Sequence, residues 1–89
     1  MAHMFVRGTV EDDAAFREVF DGAEEMRKSA GATGVTVYQS VDNPNEITIQ
    51  AEFPTADAAK AFASSQELRD TMQRAGVQGP PTMWFVNKT

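Results

Sequence analysis

The 89-residue chain has no cysteine, which excludes disulfide staples and thiolate metal sites. A single histidine, His3, rules out a multi-histidine metal centre within one subunit, and no metal site is expected. HExxH, GxSxG and a phosphate-binding glycine loop are all missing. The spaced glycines of Gly31-Ala32-Thr33-Gly34 follow a helical pattern instead of preceding one, so they fit a helix end and a strand entry. No apolar run approaches the roughly 20 residues of a membrane span. The N-terminus has neither the charged nor the apolar segment of a secretory signal, and a cytoplasmic protein is expected. Basic residues are outnumbered, 8 against 13 acidic, for a net charge of −5. That balance disfavours nucleic acid and anionic membranes, both of which call for clustered Lys and Arg.

What the chain does have is an ordered succession of patterns. Residues 4–10 alternate as a strand, with His3, Phe5 and Arg7 on one face and Met4, Val6 and Gly8 on the other. Asp12 opens a helix that runs to Gly31, with Phe16, Val19, Phe20, Ala23, Met26 and Ala30 at helical spacing. Residues 35–41 and 46–53 alternate on either side of the turn Asp42-Asn43-Pro44-Asn45. Thr55 caps a short Ala-rich helix, and Ser64 with Glu67 spells a capping box that restarts it. Leu68, Met72 and Ala75 continue its buried face to Gly76, and Gly79-Pro80-Pro81 forms a loop into a last strand over 82–87.

This β-α-β-β-α-β order predicts one ferredoxin-like α+β domain over residues 1–89, with an antiparallel four-stranded sheet in the order 4-1-3-2. Helices cover only one face of such a sheet. The other face carries Phe5, Arg7, Tyr38, Thr48, Gln50 and Glu52, and a homodimer that encloses it is expected. A chain this short also gains from burial against a partner.

Candidate chemistry is sparse. Arg7 sits mid-strand, where a charge is costly unless paired; pairing with Glu52 or Gln50 is the favoured reading, and anchoring a ligand oxyanion is the functional one. Tyr38 shares that face and either donates to the same ligand or seals the dimer. His3 has an acid–base range near neutrality, but Ala2-His3-Met4 resembles a cloning remnant, which favours a surface residue at a frayed end. On the helix side, Gly8 and Ala23 are small residues at facing positions. They are expected to leave an apolar cavity bordered by Phe16, Phe20, Phe62, Met72 and Trp84, suited to a flat hydrophobic ligand. No activated nucleophile accompanies it.

Several segments together resemble the antibiotic biosynthesis monooxygenase superfamily. They are His3 with Val6-Arg7, Val19-Phe20-Asp21, Arg27-Lys28-Ser29-Ala30-Gly31, Asp42-Asn43-Pro44-Asn45-Glu46, residues 68–77, and Gly79-Pro80-Pro81. The resemblance implies a homodimeric α+β barrel with a small-molecule pocket in each subunit. It also implies a range of activities, among them cofactor-independent oxygenation of aromatic polyketides, haem degradation, and cyclisation or isomerisation. Histidines that relatives carry in strand one and helix one fall at Gly8 and Ala23, and a usual aromatic falls at Asp13. A histidine-based acid–base role is thereby disfavoured. The resemblance leads to an expected tailoring enzyme without cofactor, an oxygenase in the first instance, with a cyclase or isomerase and a non-catalytic ligand binder as alternatives.

Overall fold

The computed structural model describes all residues, 1–89. Strand β1 (Ala2–Val10) is followed by helices α1 (Asp13–Gly22) and α2 (Glu24–Ser29), and then by strands β2 (Gly34–Gln39) and β3 (Glu46–Phe53). Helices α3 (Ala56–Ala63) and α4 (Gln66–Arg74) lead into the last strand, β4 (Val77–Asn87). The four strands form one antiparallel sheet in the order β2-β3-β1-β4. This is the ferredoxin-like arrangement expected from the order of patterns, with β1 and β3 central.

The register shows why alternation was informative. Met4 lies opposite Ala51 and Phe85, and Val6 opposite Ile49 and Met83, so these residues share the helix side. Phe5 lies opposite Gln50 and Trp84, and Arg7 opposite Thr48 and Thr82, on the bare side. The helix-side core divides in two. One cluster gathers Met4, Val6, Ala51, Phe53, Ala59, Phe62 and Leu68 beneath α3. The other gathers Val10, Phe16, Ile47 and Ala75 beneath α1 and the end of α4.

Local chemistry fixes the helix boundaries. Asp12 caps α1 by accepting from the Ala14 and Ala15 amides at 2.9 and 3.4 Å. Thr55 caps α3 by accepting from the Ala58 amide at 3.1 Å. Gly31, at φ 102°, closes α2 in the left-handed conformation that glycine adopts without strain.

Three details differ from the pattern reading. The first helix is broken at Ala23 (φ −96°, ψ 10°), just after Gly22, a weak helix former. The cap of α4 is Ser65, whose hydroxyl accepts from the Leu68 amide at 3.2 Å, and not Ser64. Gly79-Pro80-Pro81 is no free loop but a bulge inside β4. Val77 and Gln78 pair with Val10 and Thr9, and the ladder resumes at Thr82 opposite Arg7. A bulge accommodates prolines because its residues drop out of the hydrogen-bond ladder.

Candidate functional site

Between the two halves of the core lies a cavity of about 60 Å³. Both halves contribute to its wall, Val6, Phe62 and Leu68 from one, Phe16, Ile47 and Ala75 from the other. Its floor is the bulge. A side chain at Gly8 would stand 3.4 Å from Val77 Cγ1 and 3.5 Å from Pro81 Cβ, so the glycine and the displaced β4 residues share this space. Above the floor stand Phe16 and Phe20 of α1, Ala23 at the helix junction, Met26 and Arg27 of α2, and Thr71 and Met72 of α4. Phe16 and Phe20 rings lie 5.6 Å apart and tilted.

The wall contains no carboxylate and no imidazole. Its one hydroxyl, on Thr71, is already engaged, donating to the Glu67 carbonyl at 2.7 Å and accepting from Arg74 at 3.3 Å. Arg27 is the single charged residue there, although the surface that the wall presents is almost wholly apolar. Its guanidinium carbon lies 3.8 Å from the centre of the Phe20 ring, and Nη1 donates to the Phe20 carbonyl at 2.7 Å. Burial pushes the Arg27 pKa down, while Glu24 and Asp21 act in the opposite direction.

Of the seven residues expected around the cavity, six border it: Gly8, Phe16, Phe20, Ala23, Phe62 and Met72. Trp84 does not. Its position in β4, one residue past Met83, turns it to the bare face, where it stacks on Phe5 at 5.3 Å with an interplanar angle of 6°. Arg7, Tyr38 and His3 also lie on that face, so the sheet separates all three from the cavity. Arg7 pairs with neither Glu52 nor Gln50. The register sets it opposite Thr48, and its guanidinium carbon stands 5.8 Å from the Trp84 ring. Nor is His3 at a frayed end. It is half-buried inside β1, and Gln50 donates to its Nδ1 at 3.1 Å while accepting from the Tyr38 hydroxyl at 3.4 Å.

Ten of the 16 lining residues are not among those expected, and Arg27 is the one charged residue among them. It was visible in the spacing, because positions 16, 20, 23 and 27 form one helical stripe. A charged residue at the end of an apolar stripe is the signal.

Fold and cavity together define a ferredoxin-like α+β domain with an apolar cavity between sheet and helices. The sequence pattern of the antibiotic biosynthesis monooxygenases matches residues 1–74, and the chain belongs to that family. Among curated proteins, none matches it in sequence. Solved structures are similar throughout. A Bordetella bronchiseptica protein of the antibiotic biosynthesis monooxygenase type superposes with a TM-score of 0.85 at 19% identity, covering 99% of this chain and 96% of its own. SnoaB, a cofactor-independent oxygenase from Streptomyces nogalater, superposes with a TM-score of 0.80 at 15% identity, covering 99% and 92%. A conserved protein from Methanosarcina mazei gives 0.77 at 17%, covering 99% and 92%. At these identities the likeness is one of fold.

Proposed function

We propose that the protein is a small-molecule tailoring enzyme of the cofactor-independent oxygenase type, acting on flat aromatic, polyketide-type substrates. The observation that carries this reading is the cavity wall, apolar on nearly every side and set between the sheet and the helices. Family membership and the fold shared with SnoaB support it.

In such a reaction the substrate supplies the electrons. An anthrone-like ring loses a proton to water from the carbon between its aryl groups, and the enolate passes an electron to dioxygen. The two radicals join through a new C–O bond, and the peroxide anion so formed takes a proton back from water. The resulting hydroperoxide loses water to leave a quinone carbonyl, so one dioxygen yields one carbonyl oxygen and one water. The protein's part is to exclude bulk water and hold the ring in place. Oxygen uptake with anthrone tests this. Consumption of one dioxygen per anthraquinone, above the rate without protein, is the expected result. Product that forms equally well without oxygen would indicate cyclase or isomerase chemistry instead.

A second reading, a non-catalytic ligand binder, draws on the absence of a general base from the wall. Anthrone that binds and is recovered unchanged under oxygen would establish it.

Two copies packed sheet to sheet are part of the same proposal. No helix covers the face carrying Phe5, Arg7, Tyr38 and Trp84; Tyr38 is 51% and Val86 42% exposed. No helix is long and apolar enough to cross a membrane, and a cytoplasmic site of action fits the proposed substrates.

A further inference from the structure

A void of about 60 Å³ is too small for a ring system, since even a single benzene occupies a dry cavity of roughly 150 Å³. A ligand therefore enters only if part of the wall moves, and the elements of the wall differ in how firmly they are held. The floor is fixed by the ladders of β1 with β3 and β4. Helix α1 buries Phe16, α3 buries Ala59 and Phe62, and α4 buries Leu68 and Thr71; each has a side-chain cap at its N-terminus. Helix α2 buries no residue and has no side-chain cap. Few buried contacts are what mark a segment that opens on its own.

Both ends of α2 can turn. Gly22 stands just before the break at Ala23, and a side chain there would meet no atom within 4 Å. Gly31 takes φ 102° at the other end, after which the Thr33 amide is anchored on the Glu52 carbonyl at 2.8 Å. Buried Ala23 and that anchor are fixed points, and α2 spans them. Clefts flank it on both sides. One, of about 290 Å³, is shared with Ala58 and Ser65 and meets the cavity at Met26 and Phe62. The other, of about 220 Å³, is shared with Thr33 and Val35 and meets the cavity at Phe20 and Arg27. Met26 is the only apolar residue of α2, and its unbranched chain, like that of Met72 across the cavity, changes rotamer with little strain. The Thr71 hydroxyl lies 3.6 Å from the Met26 sulfur but gives its proton to the Glu67 carbonyl. The ion pairs Arg17–Asp13 and Lys28–Glu24 each lie within one helix and hold nothing across the break. One specific tie does cross it. Arg27 Nη1 of α2 donates to the Phe20 carbonyl of α1 at 2.7 Å, and the guanidinium carbon lies 3.8 Å from the centre of the Phe20 ring.

We propose that α2 is a lid over the cavity, hinged at Gly22–Ala23 and at Gly31, and that the contact of Arg27 with Phe20 is the latch that holds it closed. The inference rests on the cavity being the ligand site. A swing of α2 away from α1 undoes the latch, draws Met26 out of the wall and joins the cavity to its flanking clefts. A hydrogen bond from a charged donor shifts such an equilibrium about ten- to a hundredfold. The latched lid is therefore closed for most of the time, and closure over a bound ligand keeps bulk water out.

The test reads lid and ligand separately. Hydrogen exchange at rising urea follows the Arg27 and Ala32 amides, whose bonds to the Ala23 and Arg27 carbonyls bridge the two hinges, against the amides of the central strands β1 and β3. The hinge amides are expected to be protected at least about tenfold less, and to respond weakly to urea because local opening exposes little surface. Naphthalene, a flat probe without polar groups, reports entry. The methyl NMR signal of Met72 shows occupancy, and naphthalene fluorescence gives the association and dissociation rates. Arg27→Met removes the latch, and should speed exchange at both hinge amides about ten- to a hundredfold. Both naphthalene rates should rise by a similar factor and the affinity should stay unchanged, since the latch acts on the closed lid with and without ligand. Gly22→Ala stiffens a hinge without adding a contact, and should slow both rates about two- to fivefold. Hinge amides as protected and as urea-sensitive as those of β1 and β3 would overturn the lid. Faster exchange in Arg27→Met with unchanged naphthalene rates would overturn its control of entry while leaving the cavity as the ligand site. Should Arg27→Met not fold, wild-type naphthalene rates in Gly22→Ala would overturn it equally. If naphthalene leaves the Met72 signal unmoved, the cavity reading itself fails and the inference with it.

Discussion

Replacing Ala23 by leucine tests whether the cavity is real working space. Ala23 is 7% exposed and borders the void at the junction of α1 and α2. Its backbone angles suit any L residue, so the substitution carries no conformational penalty of its own. A void of about 60 Å³ weakens a fold by about 1.4 kcal/mol at roughly 24 cal/mol per Å³. Leucine at this position sends methyl groups into it. It recovers at most that amount, less about 0.5–1 kcal/mol for fixing its rotamers. The expected outcome is a modest net stabilisation, up to about 1 kcal/mol, or a melting temperature raised by up to roughly 4–8 °C in a domain of this size. The same methyl groups occupy ligand space, and anthraquinone affinity should drop about tenfold or more. Thermal unfolding with a parallel binding titration reads both. Destabilisation by about 1–3 kcal/mol with unchanged affinity would refute the reasoning, because it would mean that residue 23 faces close-packed protein and that ligands bind elsewhere.

Gly8→Ala should leave the melting temperature within a few degrees of wild type, since the added carbon meets Val77 and Pro81 at ordinary contact distances of 3.4 and 3.5 Å; a large loss would show that the floor has no slack. Phe53→Ala removes a fully buried ring packed 5.7 Å from Phe62 and should cost about 3–5 kcal/mol by urea unfolding. Tyr38→Asp should shift sedimentation toward the monomer, as it puts a charge on the face proposed to meet its copy; a monomeric wild type at micromolar concentration ends that proposal. Burial lowers the Arg27 pKa in the folded state, so the unfolded chain binds more protons only at strongly alkaline pH, and stability gains from this group as pH rises there. From about pH 5 to 9 both states keep the proton, and the stability difference between wild type and Arg27→Met, measured in urea, should be flat across that window.

Legibility in the sequence followed the strength of local periodicity. Strict alternation in residues 46–53 and the unbroken order of patterns sufficed for the sheet, its strand order and the division of β1 into two faces. The bulge was invisible because glycine and two prolines usually mark a loop, and only pairing of Val77 and Gln78 with β1 reveals a strand there. Trp84 and Phe85 fall on opposite faces of β4, and two neighbouring aromatics do not say which of them meets the helices; the pairing of Trp84 with Phe5 does. The Ser65 cap was missed by one residue because Ser64 and Ser65 are chemically equal candidates. Alternation places Arg7, Tyr38 and His3 on the bare face, where the register sets them, although functional groups alone do not indicate which side of a sheet holds a cavity. Small residues did: Gly8 and Ala23 leave space that bulky neighbours border without filling.

The softness of the cavity wall has a chemical cost in the proposed reaction. Met26 and Met72 are thioethers placed where a hydroperoxide would form and release its oxygen. Thioethers take up oxygen readily, and each sulfoxide converts a pliant apolar side chain into a polar, chiral one. An enzyme that generated peroxide in this cavity would therefore record its own misfires on those two residues first. The damage would make polar two side chains that any ligand larger than the cavity's about 60 Å³ would have to displace. Turnover would then be finite unless the sulfoxides were reduced again.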